Sequence, residues 1–87
     1  MVSVARRFGR NLVRCRKRAG YSQEQLALLA SLHRTEIGKL ERGERLARID
    51  TLVKLSGSLE VSADDLLDGL DWTPGGPRIG SFRVSGG

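Results

Sequence analysis

The sequence predicts an all-α fold of five short helices followed by a β-prone C-terminal extension. Apolar residues recur at spacings of three and four, capping residues and glycines punctuate those runs, and the helical pattern gives way to Gly and Pro after Leu70. Residues 1–70 are expected to form the helical domain and residues 71–87 the extension. A chain of 87 residues is enough for one small core.

Each element follows from local chemistry. Ala5, Phe8, Leu12, Cys15 and Ala19 place one apolar stripe on a helix of about 16 residues, capped by Ser3 and ended by Gly20. Cys15 on that stripe reads as a small buried hydrophobe. Ser22 with Gln25 three residues on is a capping box for a second helix, whose buried face is expected to be Leu26, Leu29 and Ala30. After a turn at 31–33, a third helix covers about Arg34 to Arg42, with Ile37, Leu40 and Glu41 inward and Gly43 at its end. Ile49, Leu52, Val53 and Leu55 mark a fourth helix, which the low helix propensity of Ser56, Gly57 and Ser58 is expected to interrupt. Ser62 caps a short fifth helix, where Asp64 and Asp65 favour the positive end of the macrodipole. In the extension, Trp72-Thr73 and Ser81 to Val84 flank a Pro-Gly-Gly-Pro turn, the pattern of a small hairpin.

Charge and cysteine content narrow the function classes. The net charge is +5, and residues 1–20 carry Arg6, Arg7, Arg10, Arg14, Arg16, Lys17 and Arg18 without an acid. Residues 63–71 carry Asp64, Asp65, Asp68 and Asp71 without a base, so the molecule is expected to show one face to a polyanion. One cysteine and one histidine allow neither an intramolecular disulfide nor a zinc cluster, and no cofactor motif is present. The same poverty of nucleophiles and bases argues against an enzyme. No apolar run approaches the roughly 20 residues that span a bilayer, and the first ten residues lack a secretory apolar region, so a cytoplasmic location is expected.

Two short helices joined by a tight turn, the second polar on its outer face, form a unit that fits the major groove of duplex DNA. Residue identities sharpen this. The stretches Ser22 to Ala27, His33 to Gly43, Thr51 to Leu55 and Leu59 to Leu67 resemble the Cro/repressor helix-turn-helix family, also called the XRE family, over about residues 6–69. That resemblance implies a five-helix, lambda-repressor-like DNA-binding domain acting as a homodimeric transcriptional regulator, most often a repressor. It implies base contacts from Arg34, Thr35 and Lys39. Glu36 either accepts from cytosine N4 or pairs with a neighbouring basic side chain. It implies phosphate contacts from Gln23, His33, Arg42 and Arg45, with Arg16 also a candidate. Arg16 and Glu41 match a pair that locks the first helix to the third in relatives, where loss of one partner costs roughly 3–5 kcal/mol if the pair is buried.

Dimerisation through the fifth helix and the extension makes Leu66, Leu67, Leu70, Trp72 and Phe82 the candidate interface, with an inverted-repeat operator. Arg48 is a further candidate for the backbone or minor groove near the dyad. Three positions depart from the family pattern. Ser31 stands where the turn favours glycine, so a rearranged turn is expected. His33 replaces a small capping hydroxyl, and Gly38 replaces a polar residue in mid-helix. The alternative reading is a protein-interaction adaptor on the same fold, with a protein partner at the C-terminal extension.

Overall fold

The computed structural model describes residues 3–85; the outermost ends of the two expected segments lie outside the described residues. The chain runs α1 (Val4–Ala19), α2 (Gln23–Ala30), α3 (Arg34–Glu41), α4 (Ile49–Leu59), α5 (Ala63–Leu66), β1 (Leu70–Thr73) and β2 (Ser81–Val84). Ser3 and Ser62 accept hydrogen bonds from Arg6 and Asp65 amides, and Ser22 and Gln25 exchange both bonds of a capping box. Gly20 ends α1 in the left-handed conformation.

The core is Phe8, Leu12 and Cys15 from α1, Leu26, Ala27 and Ala30 from α2, Ile37 and Leu40 from α3, Leu55 and Leu59 from α4, and Leu66 from α5. α3 packs on α1 and α2, whereas α5 packs on α1 and α4. Several expected positions differ. Ala19 is exposed, because α1 runs past the core in its last turn. Ala27 rather than Leu29 completes the inner face of α2, and Leu29 lies outside. α4 is not interrupted: it continues through Ser56, Gly57 and Ser58 to bury Leu59, the gain from apolar burial outweighing weak propensity. Its inner face is Thr51, Leu55 and Leu59, spaced by four, while Ile49 and Val53 face solvent. α5 ends at Leu66, and the chain is already in β1 at Leu70.

Two seams on α1 organise the fold. On one, Gly9 meets the end of α3: a Cβ there would lie 2.4 Å from the Leu40 carbonyl oxygen and 2.5 Å from that of Glu41. Only glycine permits this approach. On the other, Arg7, Asn11 and Arg14 satisfy carbonyls around the short α5. The buried Asn11 amide donates to the Leu66 and Asp68 carbonyls at 2.9 Å each, and Arg14 donates to Asn11 Oδ1 at 3.1 Å and to the Asp65 carbonyl at 3.2 Å. Arg7 donates through Nε to the Asp68 carbonyl at 3.1 Å, with its guanidinium 3.6 Å from the Asp68 carboxylate.

β1 and β2 form the expected antiparallel hairpin, pairing Leu70 with Val84, Asp71 with Arg83, Trp72 with Phe82 and Thr73 with Ser81. Alternation puts Leu70, Trp72, Phe82 and Val84 on one face and the polar pairs on the other. The Trp72 and Phe82 rings meet edge to face at 5.0 Å, yet both stay more than half exposed.

The turn at Ser31 is not rearranged: Ser31 itself takes the left-handed conformation, φ 54° and ψ 42°. Replacing Ser31 by glycine is therefore expected to stabilise the protein by about 0.5–1 kcal/mol, read as a higher denaturation midpoint in urea. Gly9→Ala is expected to cost about 2–3 kcal/mol or more by forcing α1 off α3. Gly57→Ala, where a Cβ meets nothing within 4 Å, should instead stabilise by about 0.5–1 kcal/mol. Equal effects of the two alanines in thermal denaturation would contradict the α1–α3 close approach.

Candidate nucleic-acid interface

The expected recognition helix is built to turn one face outward. Ile37 and Leu40 anchor α3 in the core, leaving Arg34 and Thr35 exposed and Lys39 half-buried. The helix start is held by an unusual capping box. His33 Nδ1 accepts from the Thr35 amide at 3.4 Å, and Glu36 Oε1 accepts from the His33 amide at 3.3 Å. Glu36 thus caps its own helix, neither of the two roles left open by the sequence. His33 serves as the cap through one ring nitrogen while the side chain stays at the exposed edge.

Behind this helix lies a nearly buried cluster. Glu41 accepts from Arg16 through both oxygens, Nε to Oε2 at 2.6 Å and Nη2 to Oε1 at 3.1 Å, and from Gln23 Nε2 at 2.9 Å. Arg16 also donates to the Tyr21 carbonyl at 2.8 Å. The side chains of Arg16 and Glu41 are only 12% and 6% exposed. Arg16 is therefore a brace, its donors turned into the fold, which corrects its candidacy as a phosphate contact. Gln23, at the first turn of α2, is oriented by the same carboxylate and stands at the rim of a notch with Arg34, Thr35, Gly38 and Arg42.

The basic charge divides accordingly. Arg7 and Arg14 are engaged around α5 and Arg16 at Glu41. Arg6 and Arg10 line a second notch with Glu41 and Arg42 at the end of α3, continuing the basic frontage. Arg34 and Arg45 are exposed and form no ion pair among the described residues. Arg48 precedes α4 and pairs with Asp50 at 3.2 Å on the surface. Arg42 pairs with Glu44, a residue the sequence did not single out. Its hydrogen bond holds the Glu44 carboxyl below the usual carboxylate range, with the charges of Arg42 and Lys39 adding, and Glu44 raises Arg42 in return.

The candidate dimer residues separate into two groups. Leu66 is fully buried within its own chain and has no surface to offer a second copy, which corrects its assignment. Leu67, Trp72 and Phe82 are exposed, and Leu67 and Leu70 line an apolar groove with Val4, Phe8, Leu46, Ala47 and Leu52. No described helix is long and apolar enough to cross a membrane.

Comparison with known proteins agrees with this geometry. The helix-turn-helix family model HTH_3 matches residues 12–66. The prophage-derived HTH-type transcriptional regulator YonR of Bacillus subtilis is 44% identical over 62 residues, covering 71% of this chain and 57% of that protein. The control protein C.BamHI of Bacillus amyloliquefaciens is 42% identical over 62 residues, 70% of this chain and 76% of that protein. The chain thus spans little more than half the length of the first relative and three quarters of the second. Among solved structures, the biofilm master regulator SinR in complex with DNA superposes with a TM-score of 0.67 at 34% identity, covering 70% of this chain and 98% of that one. With its match across most of the helical region, the chain belongs to the HTH_3 helix-turn-helix family, of the Cro/repressor type, and carries that family's DNA-binding fold.

Proposed function

We propose that this protein is a sequence-specific, homodimeric transcriptional regulator that lays α3 in the major groove of duplex DNA, in the cytoplasm. The observation that carries the reading is the split character of α3. Its inner face is locked by Ile37, Leu40 and the Glu41 cluster, and its outer face offers Arg34 and Thr35. A rigid helix with polar groups outward fits a groove about 12 Å wide. Arg34 gives a bidentate contact to guanine O6 and N7, Thr35 meets a neighbouring base, and Lys39 donates to guanine or phosphate. Gln23, His33 and Arg45 contact the backbone and set register. The relatives named as a transcriptional regulator and a control protein, and the SinR complex with DNA, support this reading.

The second copy is assigned to the apolar side that α3 leaves free: Leu67, Leu70, Trp72 and Phe82, which share one continuous surface through Leu70. Twofold symmetry then makes the operator an inverted repeat with half-site centres about 34 Å apart. The exposed aromatic pair lies beyond residues 12–66 of the family match, so the hairpin is a feature added to the shared domain.

Selection of bound duplexes from a random pool is expected to recover an inverted repeat with guanine at a fixed half-site position. Arg34→Ala should relax that position by about 1–3 kcal/mol, whereas Gln23→Ala should weaken operator and random DNA alike. Equal losses for both variants on both DNAs would refute the division of roles. Trp72→Ala is expected to weaken dimerisation by about 2 kcal/mol in sedimentation equilibrium. Leu66→Ala should instead lower stability by about 2–5 kcal/mol, as a cavity in the core. An unchanged dimer in Trp72→Ala would remove the hairpin from the interface.

A further inference from the structure

Gly38 is buried although it sits on the outward side of α3, and its cover is the side chain of Arg42. A Cβ built on Gly38 would stand 3.0 Å from Arg42 Nη1 and 3.7 Å from Cζ, with no other residue among its nearest neighbours. Arg42 therefore folds back one helical turn and lays its guanidinium in the space that glycine leaves open. The same side chain donates from Nε to Glu44 Oε2. The guanidinium lines the notch that also holds Gln23, Arg34 and Thr35.

Resting on the DNA-binding reading above, we propose that Arg42 is a specificity-determining residue that reads a base edge, with Gly38 and Glu44 as its positioning residues. A residue just past the end of a groove-bound helix ordinarily meets the backbone; here the fold-back returns its charge toward Arg34. With Nε committed to Glu44, the Nη1 and Nη2 edge remains for a bidentate contact to guanine. Residues 34, 38 and 42 follow one stripe of the helix, and four residues advance about 6 Å along its axis, so Arg34 and the Arg42 head address different base pairs. Glu44 has a second effect: its carboxylate carries a negative charge beside the basic notch, lowering attraction for any phosphate without lowering complementarity to a guanine. The clamp thus trades general affinity for discrimination.

Bound-duplex selection with the full chain, at two salt concentrations, tests this using Arg42→Lys, Glu44→Gln and Gly38→Ala. Lysine keeps the charge and loses the fork, glutamine removes the clamp's charge, and alanine fills the seat. Arg42→Lys is expected to lose discrimination about tenfold or more at one base pair, distinct from the Arg34 position, with an unchanged salt slope. Glu44→Gln and Gly38→Ala should blur that same position, Glu44→Gln should also bind random DNA more tightly, and Gly38→Ala should melt at a higher temperature. A wild-type motif that all three variants reproduce unchanged would overturn the proposal while leaving DNA recognition intact. Loss by Arg42→Lys spread evenly over operator and random DNA would assign Arg42 to phosphate and overturn it as well. A wild-type protein that selects no motif would overturn both this proposal and the DNA-binding reading. Melting curves confirm that each variant is folded, and the exposure of Arg42 and Glu44, 59% and 50%, keeps their replacement clear of the core.

Discussion

The Glu41 carboxylate is the point on which the arrangement of the first three helices depends. It sits at the end of α3, receives two hydrogen bonds from Arg16 of α1 and one from Gln23 of α2, and is almost wholly removed from solvent. A buried charge of this kind is tolerable only when fully partnered, and here the partners are the neighbouring helices themselves. The geometry of three helices is thereby tied to one group. Gly9 makes the tie possible, since a side chain at that position would hold α1 away from the last carbonyls of α3. Hydrophobic burial drives the helices together, and the glycine seam with the carboxylate selects which packing they adopt.

The outward chemistry follows from this inward one. Because Ile37, Leu40 and Glu41 all point into the fold, the other side of α3 is free of packing duty and can carry Arg34, Thr35 and the Gly38 seat. Gln23 belongs to both sides, bound to Glu41 and exposed at the rim of the notch. The stability of the helix pair and the placement of the interface are thus two results of one cluster.

The basic sequence of α1 illustrates how composition and structure diverge. Read as a run, its arginines suggest a uniform polyanion-binding face. In the fold Arg7 and Arg14 bind carbonyls around α5 and Arg16 binds Glu41, so only part of the charge, Arg6 and Arg10 with the α3 residues, forms the frontage. α5, with one helical turn, cannot satisfy its own last carbonyls, and the buried Asn11 amide supplies what is missing. A polar residue on the side of an otherwise apolar helix was the available signal for this seam, but its partners lie more than fifty residues away in sequence.

Local interactions made much of the protein legible in advance. Caps at Ser3, Ser22 and Ser62, the left-handed Gly20, the spacing of Phe8, Leu12 and Cys15, and the break to a Pro-Gly-Gly-Pro hairpin all act within a few residues. Such effects can be read from sequence because the interacting groups are neighbours in the chain. The resemblance to the Cro/repressor family added which outward residues to watch. Tertiary structure alone decided the rest: that α4 runs through Ser56, Gly57 and Ser58 to bury Leu59, and that Leu29, Ile49 and Val53 lie outside. It alone decided too that Ser31 accepts a left-handed backbone, that Leu66 is core and that Arg42 rests on Gly38. Each of these depends on what a distant segment places beside the residue, and burial, close approach and pairing across the fold exist only once the helices have met.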